Sequence, residues 1–149
     1  MSREDGTVFV FNKAKETFLA YRVKVADSML TRLVGLLGKR CLEPDSGLWI
    51  IPSRGVHTLG MAFDIDVIFL DKDLKVVGLR EMMRPFSITG LYMDAESALE
   101  LPSHSIFKSR TEIGDELVVS SVDALGTSHR GIVPDPPKEE ALRRVASAP

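Results

Sequence analysis

Apolar and polar positions alternate along two early stretches of the chain. Thr7 to Phe11 carries Val8, Phe9, Val10 and Phe11, a β-favourable run, and Asn12-Lys13-Ala14-Lys15 reads as a turn. From Phe18 to Ala26 the pattern has a period of two, with Leu19, Tyr21, Val23 and Val25 on one face and Ala20, Arg22 and Lys24 on the other. A half-buried strand has this period because successive side chains point to opposite faces. The two stretches predict an antiparallel hairpin. The period then changes. Met29, Leu30, Leu33, Val34, Leu36 and Leu37 recur at spacings of three and four, which predicts a helix capped by Asp27 or Ser28 and ended by Gly38.

Turn chemistry and short apolar runs fill the rest. Glu43 to Gly47 is a turn, Leu48 to Ile51 a strand, and Pro52 to Gly55 a break. Val67 to Leu70 reads as a buried strand that makes a second hairpin, Asp66 to Leu79, around Asp71-Lys72-Asp73. Met82 to Gly90 reads as a loop, Ser97 to Leu101 as a strand and Pro102 to Arg110 as a polar connection. Leu117 to Ser121, after the Gly114-Asp115 turn, is the last strand. About seven short strands and one clear helix predict a mainly β (α+β) fold. The expected form is a compact barrel-like or strongly bent antiparallel sheet with the helix packed on it. Residues 1–125 are expected to form a single domain. Residues 126–149, rich in proline and charge, bury too little apolar surface to offset ordering and are expected to form a mobile tail.

Composition narrows the possible functions. Nineteen basic residues against 21 acidic ones give a net charge of −2, which argues against general nucleic-acid binding. Cys41 is the sole cysteine, so neither an internal disulfide nor a cysteine-rich zinc site is available. No secretory signal pattern opens the chain, and no window approaches the ~18 consecutive apolar residues of a membrane span. The expectation is a soluble, cytoplasmic protein.

The most distinctive stretch runs from Gly55 to Asp71. It sets His57, Thr58, Met61, Asp64 and Asp66 directly before the most apolar strand. This stretch and four others resemble a known family. The others are Val25-Ala26-Asp27 with Arg32 to Leu37, Asp45 to Ile50, Ala98 to Pro102, and Ile113 to Leu117. Together they resemble domain-of-unknown-function family 192, in the branch carrying His-Thr-x-Gly-Met at His57 to Met61. Many relatives have proline where this chain has Asp64. The resemblance implies a compact β-barrel-like fold, with no activity established for the family. It also implies a possible partnership with secretion or pilus-assembly systems.

The chemistry of these residues has two readings. Asp64 and Asp66, two apart, fall on one face of an extended chain, and paired carboxylates can bind a metal or act as acid and base. Equally, Asp66 can hold backbone amides at the strand entrance. No Gly-x-Ser-x-Gly elbow supports a triad of Ser53, Ser87 or Cys41 with His57. Met61, Met82, Met83 and Met93, with His57 and His104, are methionines and histidines of the kind copper(I) takes, but methionine at apolar spacing is usually core filler. Arg54 and Arg84 can hold an anion, yet no phosphate-binding loop accompanies them. The site expected, if one exists, is a ligand-binding group of Arg32, His57, Thr58, Met61, Asp66 and Glu100, with Arg32 as countercharge to the acids. The leading expectation is a ligand-binding or accessory protein with a possible protein partner and no metal or cofactor. The alternative is a metal-dependent or acid/base enzyme using His57, Asp64, Asp66 and Glu100.

Overall fold

Among the described residues, the stretches read as strands become seven: β1 (Thr7–Asn12), β2 (Thr17–Ala26), β3 (Ser46–Ile50), β4 (Ile65–Leu70), β5 (Val76–Met83), β6 (Ser97–Pro102) and β7 (Leu117–Ser121). A short helix, α1 (Ser105–Ser109), lies between β6 and β7. The computed structural model describes residues 7–26 and 38–121. The helix expected over Met29 to Leu37, Arg32 within it, and the tail expected over 126–149 lie outside the described residues. Gly38, read as a helix terminator, has the left-handed φ of 77° that suits glycine.

The strands form one sheet in the order β5-β4-β6-β3-β2-β1-β7. Both expected hairpins are present, β1–β2 and β4–β5. In the second, Asp71 Oδ1 accepts from the amides of Asp73 and Lys75, each at 2.9 Å, and so fixes the turn. The sheet is not wholly antiparallel: β2 and β3 run parallel, from Arg22 opposite Ser46 to Ala26 opposite Ile50. A parallel pair needs a long connection, and residues 27–45 separate the two strands in the sequence. The sheet curls into a half-barrel. Its outermost strands meet at one end, where the Val76 amide donates to Asp115 O and the Leu117 amide to Leu74 O, both at 2.9 Å.

Each face of the curl carries its own core. The inner core draws Val10, Leu19, Val23, Ile68, Leu99, Val76 and Leu117 from both ends of the sheet, a combination only a curled sheet brings together. The outer core holds Leu48, Val56, Met61, Ile65, Val67, Phe69 and Ala98 beneath the chain segments 52–63 and 84–95. Beside the closing corner, Asn12 Nδ2 donates to Thr111 Oγ1 (3.1 Å) and Asp115 Oδ2 (2.9 Å), tying β1 to the loop before β7.

Three local expectations are corrected. Strict alternation puts Ala20 on the face opposite Val23, but both line the inner core. An extra residue in β2 shifts the register between Val8–Val23 and Val10–Ala20, and the successive amides of Tyr21 and Arg22 both donate to Asp45 O at 2.9 Å. Such a bulge reverses which side chains face inward. Strand β5 runs on to Met83 rather than ending at Leu79, because an edge strand tolerates the exposed Arg80, Glu81 and Met82. Finally, the polar connection over Pro102 to Arg110 contains α1. A five-residue helix is too short to show an apolar period, and left-handed His104 and Arg110 bound it.

Candidate functional site

Alternation along β4 puts Ile65, Val67 and Phe69 on the outer face and Asp66, Ile68 and Leu70 on the inner one. Asp66 is thereby buried, with no exposed surface. Its carboxylate is fully engaged with backbone. Oδ1 accepts from the Met82 amide and Oδ2 from the Ile106 amide, both at 2.9 Å. Each amide lacks a regular partner. Met82 sits at the bulge where β5 carries an extra residue between Arg80 and Met83, with φ 49°. Ile106 lies in the first turn of α1, whose amides have no carbonyl to reach. The residue before the helix, His104, offers no side-chain cap. Asp66 therefore caps α1 from another strand while pinning the β5 bulge.

Thr58 does the same for the layer outside the sheet. It is also fully buried. Its Oγ1 donates to Arg84 O at 2.6 Å and accepts from the Ser87 amide at 2.9 Å. Its own amide donates to Ser87 O, and its carbonyl accepts from Phe86, both at 2.9 Å. Val56 continues the seam through Thr89, giving its amide to Thr89 Oγ1 and taking the Thr89 amide, both at 2.9 Å. Replacing Thr58 with valine keeps the shape but strands the Ser87 amide and Arg84 carbonyl, and is expected to cost about 2 kcal/mol in chemical denaturation.

The remaining expected residues go to different places. His57 is exposed, and its Nδ1 accepts from the Leu59 amide at 3.3 Å. Met61 is packed in the outer core. Glu100 is opposite Val67 and Leu48, so it shares their outer face, whereas Asp66 is opposite Leu101 on the inner face. The sheet thus separates Asp66 from Glu100. Asp64 is half-buried just before β4. Among the described residues, no three of His, Cys, Asp and Glu come together as a metal ion requires. The methionines divide too: Met61 and Met83 are core, while Met82 and Met93 face solvent. Ser53 donates its hydroxyl to Gly55 O, and Arg54 Nε to Ala95 O.

Glu100 is the chemically unusual member. It is 4% exposed, and its carboxylate has no hydrogen-bond partner among the described residues. Burial alone pushes its pKa up to about 7. A carboxylate in this setting holds its proton near neutrality.

The seam made by Thr58 and Val56 carries a feature absent from the sequence expectations. Leu59, Phe86, Ile88, Leu91 and Met93 project from segments 57–59 and 84–93, each between 44% and 74% exposed. The backbone beneath them is fixed by the Thr58 and Val56 bonds, by the His57–Ile88 bridge, and by the Tyr92 amide donating to Arg54 O at 2.8 Å. The Tyr92 ring stacks on Phe69 with centroids 4.0 Å apart, lying over Gly78, where a Cβ would run into it. Arg54 and Arg84 flank this rim. A sequence signal for it exists: four large apolar residues in a stretch without strand period belong to neither a core nor an ordinary polar loop.

Comparison with known proteins is consistent with this picture. Residues 4–119 match the family model DUF192, described as an uncharacterized ACR. A UPF0127 protein from Thermococcus sibiricus is 32% identical over 144 residues, covering 91% of this chain and 86% of the relative. Among solved structures, a protein of unknown function from Novosphingobium aromaticivorans superposes with a TM-score of 0.66 at 16% identity, covering 75% of this chain and 83% of that one. A candidate transcription regulator from Sinorhizobium meliloti gives 0.63 at 20% identity, covering 75% and 91%. At such identities the two structures speak for the fold alone.

Proposed function

The chain belongs to the DUF192 family, and we propose that it acts as an interaction module, docking a protein partner through the apolar rim of Leu59, Phe86, Ile88, Leu91 and Met93. The observation that carries this reading is exposed apolar surface on a backbone whose amides are already bonded. Large apolar side chains held in water without cover mark interaction surfaces. A pre-fixed backbone spares a partner the entropy of ordering a loop. Phenylalanine, methionine and flanking arginine are the residues that protein interfaces enrich, and Arg54 and Arg84 favour a partner with acidic groups around an apolar centre.

The enzyme alternative draws no support from the geometry. Asp66 spends both oxygens on backbone amides, and Glu100 lies across the sheet from it. The link to secretion or pilus assembly rests on the resemblance alone, and none of the relatives' names carries it.

A photo-crosslinking side chain at Ile88, compared with one at the exposed Lys72 in the β4–β5 turn, tests the docking reading. In extracts of the native host, position 88 is expected to give one discrete protein adduct that position 72 does not. That partner, once purified, should bind the full chain, and Leu91→Asp should abolish binding while leaving the far-ultraviolet circular dichroism unchanged. Equal adducts at both positions, adducts only with lipid or with a second copy of this chain, or undiminished binding by Leu91→Asp would each contradict it.

A further inference from the structure

A second surface, three strands away from the rim, has the opposite character. Arg22 and Lys24 project from the outer face of β2, two residues apart and opposite Ser46 and Leu48 of β3. Lys39 and Arg40 reach the same place from the segment before β3, and together these residues line a cavity of about 460 Å³. Among the described residues, four cations meet one carboxylate there, Glu43, which pairs with Arg22 at 3.5 Å. Lys24, Lys39 and Arg40 have no carboxylate partner among the described residues. The chain as a whole carries a net charge of −2, so this is a local concentration of positive charge.

We infer that this cleft binds a small, multiply charged phosphate-bearing molecule. Four cations gathered around one concave space repel one another, and an anion seated between them relieves that repulsion. The guanidinium forks of Arg22 and Arg40 match phosphate oxygens two at a time, while Lys24 and Lys39 add point charges. The volume falls in the range of small-molecule sites, roughly 300–1,000 Å³. The Ser46 hydroxyl, which donates to Glu43 O at 2.6 Å, keeps a lone pair for a ligand hydroxyl. The site is independent of the partner proposed for the rim.

Cys41 provides the readout, because it lines the cleft, is exposed, and is the sole cysteine of the chain. The rate of its alkylation by N-ethylmaleimide is measured on the full chain while inorganic pyrophosphate is titrated at constant ionic strength. Saturable slowing is expected, about tenfold when pyrophosphate stands at ten times its Kd. Lys24→Glu combined with Arg40→Glu should abolish the slowing, and Lys72→Glu, a single charge reversal in the β4–β5 turn, should leave it intact. Should the double variant fail to fold, Lys24→Gln and Arg40→Gln singly should each weaken it. The inference is overturned by no slowing, by slowing that never saturates, by equal slowing in the cleft variants, or by its loss in Lys72→Glu.

Discussion

Asp66→Ala is expected to lower the unfolding free energy by roughly 3–5 kcal/mol, the sum for two amides, one buried and one partly buried, losing a charged acceptor. The loss follows from position. Asp66 has no exposed surface, and its two oxygens hold the Met82 and Ile106 amides at 2.9 Å each. With the side chain gone, the buried Ile106 amide in the first turn of α1 has no acceptor, and the Met82 amide loses the bond that pins the β5 bulge. Asp66→Asn should lose less, because one amide oxygen still accepts while its NH₂ faces the second donor. Urea denaturation of the three proteins checks the order, wild type above Asp66→Asn above Asp66→Ala. A wild-type-like midpoint for Asp66→Ala would mean that the carboxylate is free for other chemistry.

Glu100→Gln is expected to act in the other direction, and only above a certain pH. Burial raises the folded pKa of Glu100 to about 7 from its ordinary value of 4.5. A group whose pKa is raised on folding binds more protons in the folded state. Its favourable contribution is therefore complete below pH 4.5 and is lost as pH rises through about 7. At higher pH the folded state must carry a carboxylate largely withdrawn from water, a penalty that linkage puts at roughly 3 kcal/mol. Glutamine is neutral throughout and matches the protonated acid in shape. Stability curves of the two proteins should nearly coincide at pH 4 and separate from pH 5 upward, with the variant more stable at pH 8. Parallel curves would show that Glu100 ionises in the fold as easily as in the unfolded chain.

Much of the architecture is legible in the sequence because short apolar, β-favourable runs bounded by turn residues mark the strands, with a period of two added in β2. The hairpins, the last strand and the bent β-rich class all follow from Val8 to Ala26, Val67 to Leu79 and Leu117 to Ser121. What escapes has physical causes. A bulge leaves no compositional mark, so the inward turn of Ala20 is hidden. Parallel pairing of β2 with β3 depends on the path of the crossover, not on either strand. Helix α1 exists because a carboxylate from β4 caps it, which local sequence cannot report. At the candidate site, the backbone-holding role of Asp66 and the importance of Thr58 are readable from polar residues crowding a buried strand. The separation of Asp66 from Glu100 is not, because it needs the β4–β6 register, in which Asp66 meets Leu101 and Glu100 meets Val67. The rim falls in a stretch that reads as loop, since periodicity discards apolar residues that fit no period.

The stretch from His57 to Asp71 is a joint that fixes backbone, and the proposed rim stands on what it holds in place. Amide hydrogen exchange at Met82 and Ile106 tests this most directly. In the wild-type chain both amides should exchange only through global unfolding, as slowly as core amides of β4, and both should become fast in Asp66→Asn at a denaturant concentration where the fold persists. Fast exchange of Met82 and Ile106 in the wild type, or unchanged protection in Asp66→Asn, would contradict it.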